Sequence, residues 1–171
     1  MTENPISLGT RLGSMIFDHF IMTIILMIFL SPLLINNFTD SRIKAVGNSS
    51  MIEMNSPVTY FMIFGFALYF CKDIFGGRSI AKRILKLQVV SNSTGEVASP
   101  IQCVIRNFFC VIWPLEVIMT LINPSRRLGD IIAGTKIISQ NPPITKEINL
   151  NQIVISFILA YGITSLIFYI I

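Results

Sequence analysis

Arg11 and Asp18 lie seven residues apart in an otherwise apolar opening stretch, Thr10-Arg11-Leu12-Gly13-Ser14-Met15-Ile16-Phe17-Asp18-His19, which runs into an uncharged segment from Phe20 to Ile35. On a helix that separation puts both side chains on one stripe, about 10 Å apart along the axis. An ionised carboxylate held in hydrocarbon costs roughly 2.5 to 3.5 kcal/mol even on the gentlest insertion scale, so a charge kept there needs a purpose. The chemistry open to such an acid is the binding of a proton or of a small cation. Desolvation favours the neutral acid and a nearby guanidinium favours the carboxylate, and a group balanced between the two can trade a proton for Na⁺ or Li⁺. Hard cations need oxygen ligands, and Ser14, Thr23 and backbone carbonyls are close in sequence. His19 carries a ring able to relay protons. Asp130, before the apolar run Ile131-Ile132-Ala133-Gly134, can cap a helix or turn and pair with Arg11 or Arg127. The competing reading makes Arg11, Asp18 and Asp130 a purely structural ion-pair cluster, with Arg11 reaching toward the interface. His19, adjacent to Asp18 but about 100° round the helix, is then a packed or interfacial ring.

The composition says what must position these groups. The chain of 171 residues is 53% hydrophobic and 13% charged, with a mean hydropathy of +0.70, whereas soluble domains carry about 25% charged residues. This is the composition of a protein that lives in a bilayer. The net charge of +4 does not indicate nucleic acid, because Lys and Arg are spread over short loops between apolar runs, where they set topology and meet lipid. Three cysteines, Cys71, Cys103 and Cys110, form no disulfide framework. One histidine and no Cys-x-x-Cys leave no ligand set for structural zinc. No cofactor is expected. Ser14, Asp18 and His19 on one helix cannot arrange a hydrolase triad, so no enzyme is expected either. The first apolar stretch, long and charged at its start, is expected to stay in the mature protein rather than leave as a signal peptide.

Windows of about 20 apolar residues mark the spanning candidates. The first helix is predicted over about 11–35, with Pro32 disturbing only its last turn, and the second over 57–75, with Pro57 in its first turn and Gly76-Gly77 ending it. The polar stretch 36–56 between them reads as an outside loop. Next comes a basic run of Lys72, Arg78, Lys82, Arg83 and Lys86, which the positive-inside rule places in the cytoplasm together with the amino terminus. Within it Ser79 to Lys86 predicts a short amphipathic helix with its cations at the interface. Leu87 to Val90 and Gly134 to Ser139 predict two short strands, which can pair only if both lie on one side. The third apolar segment, 100–122, contains Arg106, Pro114 and Glu116. It is either a full span or a re-entrant or interfacial hairpin bent near Pro114, and the basic residues that follow favour the hairpin. Arg106 and Glu116 are read as interfacial anchors or as a pair that holds the hairpin. A last uncharged helix, Ile153 to Ile171, follows the stiff Pro142-Pro143.

Three blocks resemble the RDD family of bacterial membrane proteins, named for one arginine and two aspartates. They are Arg11 to Asp18, then Arg78-Ser79-Ile80-Ala81-Lys82-Arg83-Ile84-Leu85-Lys86-Leu87-Gln88-Val89-Val90, and Arg127-Leu128-Gly129-Asp130-Ile131-Ile132-Ala133-Gly134-Thr135. The resemblance covers roughly residues 7 to 140. It implies a multi-pass protein of the bacterial cytoplasmic membrane, and it suggests transport, with some members looking like sodium/proton antiporters.

The expected fold is therefore an all-α membrane protein of three or four transmembrane helices, with a cytoplasmic hairpin and two short paired strands. The expected division is an RDD-like membrane domain over 1–140 and a linker with an additional helix over 141–171. Two functions are carried forward. One is exchange of a monovalent cation for a proton, or transport of a small ligand, at Asp18, with Arg11 and Asp130 in the cluster and His19, Lys82 and Arg127 as secondary members. The other is a non-transporting scaffold or partner-binding module in which the cluster only holds the fold. The expected partners are the lipid bilayer, a monovalent cation and proton, and further copies of the chain, but no nucleic acid.

Overall fold

The computed structural model describes residues 6–43, 57–139, 143–145, 147 and 149–170, with backbone alone at 33 and 36–43. It is mainly helical. Helix α1 (Leu8–Ile43) is followed by α2 (Pro57–Phe70), α3 (Ile80–Ile84), strand β1 (Leu87–Ser91), α4 (Pro100–Phe108), a 3-10 turn (Phe109–Ile112), α5 (Trp113–Ile122), α6 (Leu128–Ile132), strand β2 (Thr135–Ser139) and α7 (Leu150–Ile170). Helix α2 packs against both α1 and α7, and α4 packs against α2, α6 and α7. The core of this bundle joins Ala67, Phe70, Cys71 and Ile74 to Val104 and Ala160. Three segments, Leu8–Pro32, Pro100–Ile122 and Leu150–Ile170, are long and apolar enough to cross a membrane. Their outward faces carry Ile16, Phe20, Ile24 and Ile28 on α1 and Val154, Ile155 and Ile158 on α7, all exposed. Large apolar groups in such rows belong in lipid.

Helix α1 runs past Pro32 to Ile43, through the first part of the stretch read as an outside loop; 44–56 lie outside the described residues. Proline has no N–H, which leaves the carbonyl of Ile28 without its helical donor. The Ser31 hydroxyl donates to that carbonyl at 2.7 Å, so the helix continues. Helix α2 ends earlier than predicted, at Phe70, and 71–77 form successive turns. These turns bring Asp73 inward, where it is wholly buried. At ~21 Å, α2 is short of the ~30 Å hydrocarbon layer.

The two predicted strands pair antiparallel, with Val89 opposite Ile137. This sheet shows how 100–122 is folded. At one end of the segment, the N–H of Ala98 bonds the carbonyl of Val89 (3.1 Å); at the other, the carbonyl of Ser125 accepts from the N–H of Ile137 (3.2 Å). One continuous helix would hold the two ends about 33 Å apart. They instead meet at one cross-strand pair, so the segment turns back on itself. The turn lies where the 3-10 stretch ends at Ile112, whose ψ of 52° is not helical, and where α5 restarts with Pro114 in its first turn. The missing proline N–H is tolerated at a helix start and costly inside one, which fixes the bend there. Gln88 secures the neighbouring chain: its side chain donates to the carbonyls of Gly76 and Ile144 and accepts from the N–H of Ile144.

Candidate functional site

All the buried charges among the described residues fall into one set, the cations Arg11, Lys82, Arg106 and Arg127 and the anions Asp18, Asp73, Glu116 and Asp130. Four of each sign stand together, as burial of charge demands. They form two neighbouring groups.

The first group surrounds Asp130. Helix α1 supplies Arg11, α4 supplies Arg106, and the start of α6 supplies Arg127 and Asp130. Arg11 Nη2 donates to Asp130 Oδ2 at 3.0 Å, and Arg106 Nη2 lies 3.0 Å from Oδ1. The Thr135 hydroxyl donates to Oδ1 at 3.0 Å and the Arg127 N–H to Oδ2 at 3.2 Å. Asp130 thus opens α6 and ties it to α1, α4 and β2. Burial pushes this carboxyl toward its neutral form, but Arg106, Arg11 and Arg127 together overcome that and hold it below the usual carboxylate range. Glu116 of α5 accepts from the Gly129 N–H at 2.7 Å and faces Arg127 Nε at 2.9 Å. Arg127 also donates to Asn107 Oδ1 at 3.2 Å, and Asn107 in turn donates to the carbonyl of Phe70 at 3.1 Å. This close meeting of helices needs glycine at 129, where a Cβ would overlap the carbonyl oxygen of Arg106.

The second group surrounds Lys82. Ser79 caps α3 by accepting from the Lys82 N–H, and the Lys82 side chain turns into the protein. Its ammonium donates to Asp18 Oδ2 at 2.6 Å, to Asp73 Oδ1 at 2.8 Å and to Ser79 Oγ at 3.1 Å. Three oxygens therefore surround one monovalent cation. Asp73 is held well below the usual carboxylate range: burial raises it, and Lys82, Arg106 and Lys72 lower it further than burial lifts it. Its second oxygen, Oδ2, is buried with no hydrogen-bond partner. Asp18 also lines a cleft of about 480 Å³ bounded by α1, the end of α2 and α7.

Several expectations need correction. Arg11 does not reach for the interface; it is 1% exposed and bonded to Asp130. Asp18 pairs with Lys82 rather than Arg11. Lys82, read as an interfacial cation, is 2% exposed. Arg106 and Glu116 are buried and turn to Asp130 and Arg127 rather than to each other. Long side chains in an apolar segment go where their counter-charges are, and those lie far away in sequence. His19 stands apart from Asp18, 3.2 Å from the Tyr69 hydroxyl and stacked on Trp113. Asp73 was missed altogether. It sits in the turns after α2 beside Lys72, and its one sequence signal is an acid among basic residues at the end of an apolar helix.

No curated protein and no solved structure matches the chain. The RDD family model matches residues 5–171, beyond the stretch that carried the resemblance and through the whole of α7. With a match of that extent, the chain belongs to the RDD family.

Proposed function

We propose that this membrane protein exchanges a monovalent cation for a proton at Asp18, Lys82 and Asp73. The observation that carries the reading is the Lys82 ammonium, held between two carboxylates and a hydroxyl, two of whose owners, Asp18 and Ser79, line the cleft. A guanidinium cannot give up its proton in a protein, whereas an amine can. Lys82 is thus the one buried cation of the set able to leave its anions by deprotonation. A cation entering from the cleft takes the carboxylate oxygens, and the ammonium passes one proton to water and becomes a neutral amine. The charge of the site is unchanged. Return of the proton to Lys82 expels the cation. Na⁺ and Li⁺ fit the oxygen ligands offered.

The scaffold reading is supported for the other group of the set. Arg11, Arg106, Arg127, Glu116 and Asp130 are all but fully buried, and their cations are guanidiniums. This group locks the hairpin onto α1, and the exchange site is built against it. So few helices barely enclose a hydrated path, so transport calls for assembly of several copies. The basic run after α2 supports a cytoplasmic amino terminus in a bacterial cytoplasmic membrane.

The test is reconstitution in proteoliposomes with an imposed pH gradient and a pH dye, followed by addition of Na⁺, Li⁺ or K⁺. Wild type is expected to discharge the gradient with at least one of these cations, and Asp18→Asn to lose the effect. No discharge with any cation, from protein shown to be folded, would overturn exchange and leave the scaffold.

A further inference from the structure

We infer that the cleft beside Asp18 takes a hydrophobic organic monocation, which makes such a compound a substrate of the exchange site. The inference rests on the reading of Asp18 as an exchangeable group, and it adds the chemical class of the ligand.

The walls of the cleft carry the argument. Ile21 and Met22 of α1, Leu68 of α2, and Val154, Phe157 and Ile158 of α7 line it, and its volume of about 480 Å³ suits a small organic molecule. Two of its lining residues, Asp18 and Lys72, are charged. The Lys72 ammonium lies 4.6 Å from the centre of the Tyr69 ring. Tyr69 is not part of the cleft wall, so the Lys72 charge is engaged with a ring outside the cleft. Asp18 uses Oδ2 for Lys82, while Oδ1 accepts no hydrogen bond from the described residues and is not among their buried, unpartnered atoms. The cleft is thus an apolar container whose wall includes Asp18, a carboxylate with one oxygen not used by Lys82. An acyl chain gains nothing from that oxygen and costs it solvation. A cation with an apolar body gains from both, and Phe75 and Phe157 are among the lining residues. When the organic cation takes Asp18, the Lys82 ammonium passes one proton to water as it does for Na⁺, and the neutral amine still donates an N–H to Asp73 Oδ1, so the ligand has only one of the two carboxylates to win.

The test uses the full chain in phosphatidylcholine nanodiscs and three readouts. Tetraphenylphosphonium is expected to bind saturably, and Na⁺ is expected to compete with it. Loss of a charge-assisted contact predicts at least about tenfold weaker binding to Asp18→Asn. Tetraphenylborate, of the same shape and opposite charge, is expected to show no saturable binding. Val154→Trp, a change in the wall of the cleft on α7, takes up its volume and is expected to abolish phosphonium binding. Equal uptake of the borate, or undiminished phosphonium binding by folded Asp18→Asn, would make the cleft a lipid groove and overturn the inference. Absent phosphonium binding with Na⁺ exchange intact would defeat this inference alone. Loss of both would defeat the exchange reading as well.

Discussion

At the scale of the residue, the two groups of the charge set differ in what their cations can do. Asp130 faces three guanidiniums, whereas Asp18 and Asp73 share one amine. That difference separates a fixed anchor from a site that can change occupancy. It also has a consequence for acid stability. Asp73 and Asp130 both titrate below the ordinary carboxylate value in the folded protein. The unfolded chain takes up their protons first, near pH 4, so their contribution is fully present above about pH 4 and is lost as pH falls toward the lower folded values. Thermal unfolding in detergent is expected to show a level melting temperature from about pH 7 down to about pH 5 and a steep fall below about pH 4. A profile that stays level to about pH 3 would contradict the ion pairing of these two acids. Arg11, Asp18 and Asp130 were legible in the sequence because a charge in an apolar run is conspicuous. The partner of Asp18 was not, since Lys82 lies 64 residues away and no local pattern encodes such a pairing. Asp73 was missed because it follows Lys72 at the end of the predicted second helix, and only the turns after Phe70 carry it inward to Lys82.

At the scale of the element, the hairpin of α4 and α5 is where sequence reasoning reached furthest. Pro114, the charges inside the segment and the need for β1 and β2 to share a side together pointed to a chain that turns back, and the converging ends do so. Helix limits were less legible. Ser31 satisfies the carbonyl freed by Pro32 through a side-chain hydrogen bond, and α2 gives way at Phe70 to turns in which Asp73 pairs with Lys82; both are tertiary or side-chain effects that periodicity does not contain. The seat of α6 under α4 gives a sharp prediction. Gly129→Ala forces a methyl into the backbone carbonyl of Arg106, a rigid neighbour. A loss of about 1 to 3 kcal/mol is expected, read as a lowered unfolding midpoint in detergent. An unchanged midpoint would show that α4 and α6 are not so closely packed.

At the scale of the whole molecule, α1, α2 and α7 form the apolar body, while the strands, α3, α6 and the two hairpin ends form a cap on one side of it. Three segments have the length and hydropathy to cross a bilayer, yet the hairpin brings its ends to the same sheet. Ser93, in the turn after β1, and Asn123, after α5, both belong to the cap and are therefore expected on the same side of the membrane. Single cysteines at these positions, in a background without the three native ones, are expected to react with an impermeant maleimide from the same side in oriented vesicles. Labelling from opposite sides would mean that 100–122 crosses the bilayer. The basic run after α2 makes that side the cytoplasmic one under our reading.

The central claim is that a cation displaces a proton from Lys82, and proton release by purified protein tests it most directly. Addition of Na⁺ or Li⁺ to weakly buffered, detergent-solubilised wild type is expected to release about one proton per chain, as charge neutrality in a buried site requires. Lys82→Arg, which keeps the positive charge but cannot surrender a proton, is expected to release none while remaining folded. Release of the same size from the arginine variant, or cation binding to wild type with no release at all, would contradict the account.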